Sequence, residues 1–160
     1  MFCQELAGLI AAEVIPVVAS SKVNLVCVGI GTHARALEFC QHTSFPPRYL
    51  WSDENNTLYD ALSCVKSTPA TLFTDVRTPL ALAKRLQSGK MTYLNNALGR
   101  WAGKMWIPPK LEQGLQQGGA FVFKGSETLY SYRDPAAGVH VDLDQVIKLA
   151  LAAAEPVALL

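Results

Sequence analysis

Val23-Asn24-Leu25-Val26-Cys27-Val28-Gly29-Ile30-Gly31-Thr32 decides the fold. Its centre is a near-continuous run of aliphatic and β-branched residues closed by two glycines. Such a run reads as a strand buried on both faces, which belongs to a mostly parallel sheet. Thr32 stands where an N-cap belongs, and the pattern predicts a helix over 32–42 with Ala34, Leu37, Phe39 and Cys40 turned inward. Phe45-Pro46-Pro47 stops it, and Tyr49-Leu50-Trp51 reads as a second strand. A short helix over 54–63 then carries Leu58, Tyr59 and Leu62. Upstream, Leu6, Leu9, Ile10 and Val14 recur at helical spacing, so a helix is predicted from Cys3 to Val14 or beyond, with Pro16 ending or kinking it. The order helix, strand, helix, strand, helix defines an α/β chain.

Downstream, Thr78-Pro79 opens a predicted helix (Leu80, Leu82, Ala83, Leu86) that closes near Gly89. A second helical piece is predicted over 93–102. Trp101, Met105, Trp106, Ile107, Pro108 and Pro109 follow as an aromatic-rich loop. Ala120–Lys124 and Thr128–Tyr132 form a predicted hairpin around Gly125-Ser126. After Asp134-Pro135 and Gly138, a last helix is predicted over 142–154, with Leu143, Val146, Ile147 and Ala150 facing inward. We read residues 1–160 as one domain in which 66–114 is a variable helical insertion.

The chain has 160 residues, 50% hydrophobic and 17% charged, with a formal net charge of +1. That composition suits one globular core. No basic cluster is present, which argues against nucleic acid as a partner. No apolar run is long enough for a membrane span. Glu5, Glu13 and Pro16 interrupt the early apolar stretch, against a secretory signal. Cys3, Cys27, Cys40 and Cys64 show no C-x-x-C pair and no zinc spacing, so free thiols in a reducing compartment are expected.

Several motifs compete. Gly29-Ile30-Gly31-Thr32-His33-Ala34 fits the dinucleotide-binding pattern, with Asp53 at the distance of its ribose-binding acid. The antiparallel ending of the sheet favours the simpler reading, glycines in a tight strand-to-helix turn. Cys40 and His42 are too close for a structural zinc pair. His33 and His42 read as solvated helix residues, and His140 as a loop residue before a cap. No G-x-S-x-G elbow occurs. Cys27 and Cys40 read as inert core thiols, and Cys64, just after a helix, is expected to reach the surface. Trp51 and Trp106 read as core or lid residues.

Cys3 is different. It stands in the first helical turn, among amide N–H groups with no intrahelical partner and at the positive end of the helix dipole. That setting favours the thiolate, the nucleophilic form of cysteine.

Taken together, Phe2-Cys3-Gln4-Glu5-Leu6, the run Val23–Gly31, Tyr49-Leu50-Trp51-Ser52-Asp53 with Tyr59, Leu115–Lys124 and Gly138–Asp142 resemble the peroxiredoxin-like proteins. These are thioredoxin-fold members of the alkyl hydroperoxide reductase/thiol-specific antioxidant superfamily, a group that includes prostamide/prostaglandin F synthase. The pattern is most similar to forms from photosynthetic organisms. The resemblance implies a thioredoxin-like sheet flanked by helices, and thiol-dependent reduction of a peroxide or disulfide without a bound cofactor. An external thiol would restore the enzyme, in the cytoplasm or a plastid. It also implies a C-x-x-C pair of which Cys3 is the second member. The first member, and the strand leading into it, would lie ahead of Met1, so the chain reads as N-terminally truncated. Each buried backbone group left unpaired by a missing strand costs about 1–3 kcal/mol. The remaining strands would then close up, or lend an edge to a second copy of the chain. Gly118 and Gly119 stand where thioredoxins carry a cis-proline turn, and bare backbone there is expected to orient substrate near Cys3. The rival reading is a redox-inert thioredoxin-fold module that binds a partner.

Overall fold

The computed structural model describes residues 2–68, 71, 75–87 and 111–155. The helix expected over 93–102, the aromatic-rich loop with Trp101 and Trp106, and Pro156 lie outside the described residues.

The chain opens with α1 (Phe2–Leu9), which passes through a π-helical turn, Ile10–Val14, into α2 (Ile15–Ala19). Of the two outcomes expected at Pro16, the helix does not end there but runs on, with a local irregularity just before the proline. The widened turn is the reason: the Ile15 N–H reaches back to the Ile10 carbonyl. Pro16 then falls in the first turn of α2, where a missing donor and a fixed φ do least harm.

Strand β1 (Cys27–Ile30) runs parallel to β2 (Leu50–Asp53), with Cys27 opposite Leu50 and Ile30 opposite Asp53. The strand is shorter than the apolar run, because pairing extends only as far as β2 does; Val26 is 59% exposed. Helix α3 (His33–Thr43) connects them, starting at Thr32 and ending where Ser44 turns left-handed. The core beneath comprises Ala7, Ile15, Cys40 and Phe45, with Leu25, Cys27, Phe39 and Leu50 packed on it. Full burial of a side chain such as Phe45 contributes about 2–3 kcal/mol. Two residues expected to face inward, Ala34 and Leu37, are exposed. Helix α3 packs on α1, on β2 and on the 3-10 turn Pro47–Tyr49, and its half-buried and buried residues are confined to Ala36, Phe39, Cys40 and neighbours at that spacing. Trp51 projects from β2 with 64% of its surface exposed, so it is not a core residue.

Asp53, the last residue of β2, starts the next helix. Its carboxylate accepts from the backbone N–H groups of Thr57 (2.9 Å), Leu58 (2.8 Å) and Tyr59 (3.3 Å), which open α4 (Thr57–Ala61). Helix α4 ends in a Schellman turn built without glycine. The Cys64 N–H bonds the Tyr59 carbonyl at 2.9 Å and the Ser63 N–H bonds that of Asp60 at 3.0 Å, while Ser63 sits at φ 53°. Helix α5 (Arg77–Gln87) follows, its first N–H capped by Asp75 at 2.9 Å, and then α6 (Leu111–Leu115).

The second sheet is the expected hairpin. Strands β3 (Gly119–Lys124) and β4 (Glu127–Arg133) pair antiparallel about Gly125, whose φ of 60° suits the turn. The register slips between Val122 and Phe123. Helix α7 (Leu143–Ala154) packs on β3, and Asp142 caps it by accepting from the N–H groups of Asp144 and Gln145.

Among the described residues β1–β2 and β3–β4 remain two separate pairs. They are tied together indirectly. The Gln117 N–H bonds the Val65 carbonyl at 2.8 Å, the Ser67 N–H bonds that of Leu115 at 3.0 Å, and Arg133 Nε bonds that of Leu62 at 2.7 Å. The segment after α4 is thus stitched to the lead-in of β3 and the end of β4.

Candidate functional site

All four cysteines are free, and they differ sharply in setting. Cys27, on β1, is half-buried, and burial pushes its thiol up to about 11. Cys40 is buried in the core under α3, and burial raises its thiol too. Cys64, expected at the surface, is only 9% exposed, because the Schellman turn folds it back against Tyr59. Burial raises the Cys64 thiol, with Arg133 opposing and Asp134 adding to the rise. Cys3 is the exposed one, in the first turn of α1.

Tyr59 sits next to Cys64 through the turn that follows α4. Its hydroxyl donates to the Val28 carbonyl at 2.8 Å. In a strand, consecutive residues direct their N–H and C=O to opposite edges. The Gly31 N–H bonds Asp53 on β2, so Val28, three residues before it, points to the other edge. The phenol therefore occupies the edge of β1 that β2 does not cover. Burial pushes this phenol up, and negative charge at Cys3, Cys64, Asp53 and Asp134 pushes it further.

A buried pair, His140 and Asp134, lies beyond the end of β4. His140 Nδ1 is 2.8 Å from Asp134 Oδ2, with side chains 17% and 8% exposed. An ionised carboxylate can only accept, so the imidazole proton sits on Nδ1. His140 Nε2 is buried and has no hydrogen-bond partner among the described residues. Sequence reading left His140 as a loop residue; nothing in the spacing of Asp134 and His140 signals that the loop between them closes on itself.

Gly118 touches this pair. Its carbonyl accepts from the Asp134 N–H at 3.0 Å, and a Cβ on Gly118 would stand 3.4 Å from Asp134 Oδ2. Gly119 lies against its own hairpin, where a Cβ would run into the Tyr132 carbonyl oxygen and the Phe121 ring. The two glycines thus serve close packing of backbone and carboxylate in the structure.

The competing motifs fare differently. Both Asp53 oxygens are occupied by the N-terminus of α4, which leaves no free acid for a ribose. His33 is exposed, and exposed His42 pairs with Glu38 one turn earlier at 3.4 Å. Among the described residues no three His, Cys, Asp or Glu side chains gather as a metal site. A polar recess of about 270 Å³ beside α4, lined by Asn55, Asn56, Asp60, Lys66, Gln113 and Gln116 among others, holds none of the cysteines.

The family described as AhpC/TSA antioxidant enzyme matches residues 10–136 of the chain. The chain belongs to the AhpC/TSA antioxidant enzyme family. Membership brings with it a peroxiredoxin-like antioxidant role in general and is consistent with an α/β thioredoxin-like fold, as the resemblance implied. The matched span includes Tyr59, Cys64, Gly118, Gly119 and Asp134, while Cys3 precedes it and His140 follows it. No curated protein and no solved structure matches the chain at a significant level. Among the described residues, no helix is long and apolar enough to cross a membrane.

Proposed function

We propose that this AhpC/TSA-family chain is a thiol-dependent oxidoreductase that reduces a peroxide or a disulfide through Cys3, with an external thiol as its reductant. One observation carries the reading. Of four free cysteines, Cys3 alone is exposed, while the other three thiols are raised by burial. Cys3 stands in the first turn of α1, open to an approaching substrate. On the motifs quoted above we assign the chain to the branch that includes prostamide/prostaglandin F synthase, working in the cytoplasm or a plastid.

With a peroxide, the Cys3 thiolate attacks one oxygen. An S–O bond forms as the O–O bond breaks, leaving a sulfenic acid at Cys3 and releasing an alcohol or water. An external thiol then displaces the hydroxyl as water, and a second thiol releases Cys3 from the mixed disulfide.

The test is peroxide consumption by the purified chain with dithiothreitol as reductant. Consumption above the uncatalysed background, lost in Cys3→Ser, is the expected result. Equal rates in the Cys3→Ser variant would overturn the assignment. No consumption by the wild-type chain, with either hydrogen peroxide or a small disulfide, would favour the redox-inert binding module.

A further inference from the structure

Two glutamines wall the polar recess beside α4, and each is tied down by its amide nitrogen. Gln113, on α6, donates through Nε2 to the Glu54 carbonyl at 3.0 Å and to Asn56 Oδ1 at 3.4 Å. Gln116 donates through Nε2 to the carbonyls of Val65 at 3.1 Å and Gln117 at 3.2 Å. Those two carbonyl contacts also fix which end of the Gln116 carboxamide is nitrogen. With the nitrogens committed, what each side chain has left to offer is an acceptor oxygen. Gln116 Oε1 is buried and has no hydrogen-bond partner among the described residues. A buried acceptor without a donor is costly and uncommon, so it asks for a partner from outside.

The charges in the recess answer each other. Lys66 and Gln116 stand opposite one another in an isolated antiparallel bridge, closed by the Gln117 N–H on the Val65 carbonyl and the Ser67 N–H on that of Leu115. Residues opposed in this way send their side chains to one face. Lys66 Nζ then reaches Asp60 Oδ1 at 2.7 Å, so the cation and the anion lining the recess neutralise each other. An anionic ligand would have to draw Lys66 off Asp60, and a cationic one would have to draw Asp60 off Lys66. A neutral ligand leaves the pair in place.

Such a ligand must donate to Gln116 Oε1 while meeting both donors and acceptors at Lys66, Asp60 and Asn55. A hydroxyl group gives and accepts at once, which an ammonium or a carboxylate does not. The volume of about 270 Å³ falls below the range of drug-sized pockets and suits a small molecule. We propose that this recess binds a small neutral polyol, a monosaccharide or a cyclitol, with one hydroxyl donating to Gln116 Oε1. The recess holds none of the cysteines, so the proposal stands or falls independently of the chemistry at Cys3.

The experiment is a titration of the full chain, labelled with heavy nitrogen, followed by proton–nitrogen correlation spectra. D-glucose and myo-inositol are added separately into the hundred-millimolar range. Saturable shifts of the Gln113 and Gln116 carboxamide signals, and of the Lys66 and Ser67 backbone N–H groups, are expected with one or both polyols, with a dissociation constant in the millimolar range. Methylammonium chloride and sodium sulfate, at matched ionic strength, should produce no saturable shift there. Gln116→Met keeps the length of the side chain, removes its acceptor, and should weaken binding tenfold or more. Shifts that grow linearly without saturating for both polyols would overturn the proposal, as would saturation by methylammonium or sulfate in their place. Unchanged affinity in a folded Gln116→Met variant would overturn it too, because the buried acceptor is its anchor. The wild-type titrations decide the matter even where that variant folds poorly.

Discussion

His140 Nδ1 lies 2.8 Å from Asp134 Oδ2, and the two side chains are largely shut off from solvent. This contact closes the loop between β4 and α7 onto the strand end. Replacing Asp134 by Ala leaves the imidazole N–H without an acceptor and is expected to cost about 2–3 kcal/mol. Asp134→Asn keeps an acceptor oxygen and should lose less. Urea denaturation of the two variants beside wild type measures both. Equal losses would show that the acceptor oxygen is not what the carboxylate contributes.

Tyr59→Phe removes the hydroxyl that meets the Val28 carbonyl. A loss of about 1–2 kcal/mol is expected, the size of a buried carbonyl left unmet. The substitution should also change the response to alkali. The phenol is raised in the folded chain, chiefly by burial, so unfolding lets it ionise near its ordinary value of about 10. Its contribution is complete below that pH and fades as the pH climbs toward the folded value. Stability of the wild-type chain should therefore fall from about pH 10 upward, and more gently in Tyr59→Phe. Tyr132, raised in the same direction by burial, keeps part of the slope.

Adjacent glycines should respond unequally to alanine. At Gly119 the new methyl meets the Tyr132 backbone oxygen, which cannot give way without disturbing the β3–β4 ladder. At Gly118 it meets the Asp134 carboxylate at ordinary contact distance, 3.4 Å. Gly119→Ala is expected to cost about 3 kcal/mol and Gly118→Ala less than about 1 kcal/mol, by the usual toll of forced overpacking. Thermal melts of the two variants make the comparison.

Asp53→Ala should unsettle α4 as a whole. Three backbone N–H groups lose their acceptor, and the helix has only five residues to hold it. A cost of about 1–2 kcal/mol is expected for such a cap, with Asp53→Asn recovering a good part of it. Because Tyr59 is one of the capped residues, Asp53→Ala should also shift the near-ultraviolet tyrosine signal.

What the chain announces in its sequence is what neighbouring residues decide among themselves. The β-branched run through Val28, the turn at Gly125 and the cap at Asp142 are local signals, and each produced the element it implied. The parallel pairing of β1 with β2 followed from the lack of polar alternation in the run. Pro16 left ending and kinking both open, and what settles it, a π turn, is advertised by nothing in Ile10–Val14. His140 is the loop residue before a cap that was expected, but its pairing with Asp134, like the burial of Cys64, was hidden for another reason. Their burial comes from partners, Tyr59 and Asp134, met through turns whose closure depends on tertiary contacts such as Arg133 to Leu62. Within the candidate site, the place of Cys3 at a helix start could be read, whereas the bond from the Tyr59 hydroxyl to the Val28 carbonyl could not.

The short parallel strand β1 wears a different guard on each flank. Cys27, Gly29 and Gly31 turn their amides toward β2, held by a ladder that opens only as a unit, whereas Val28 and Ile30 turn theirs toward the other edge, where the Tyr59 hydroxyl meets the Val28 carbonyl. An amide outside a ladder opens more readily than one within it, so deuterium should enter this strand at every second amide, leaving a comb of fast and slow exchangers along four residues.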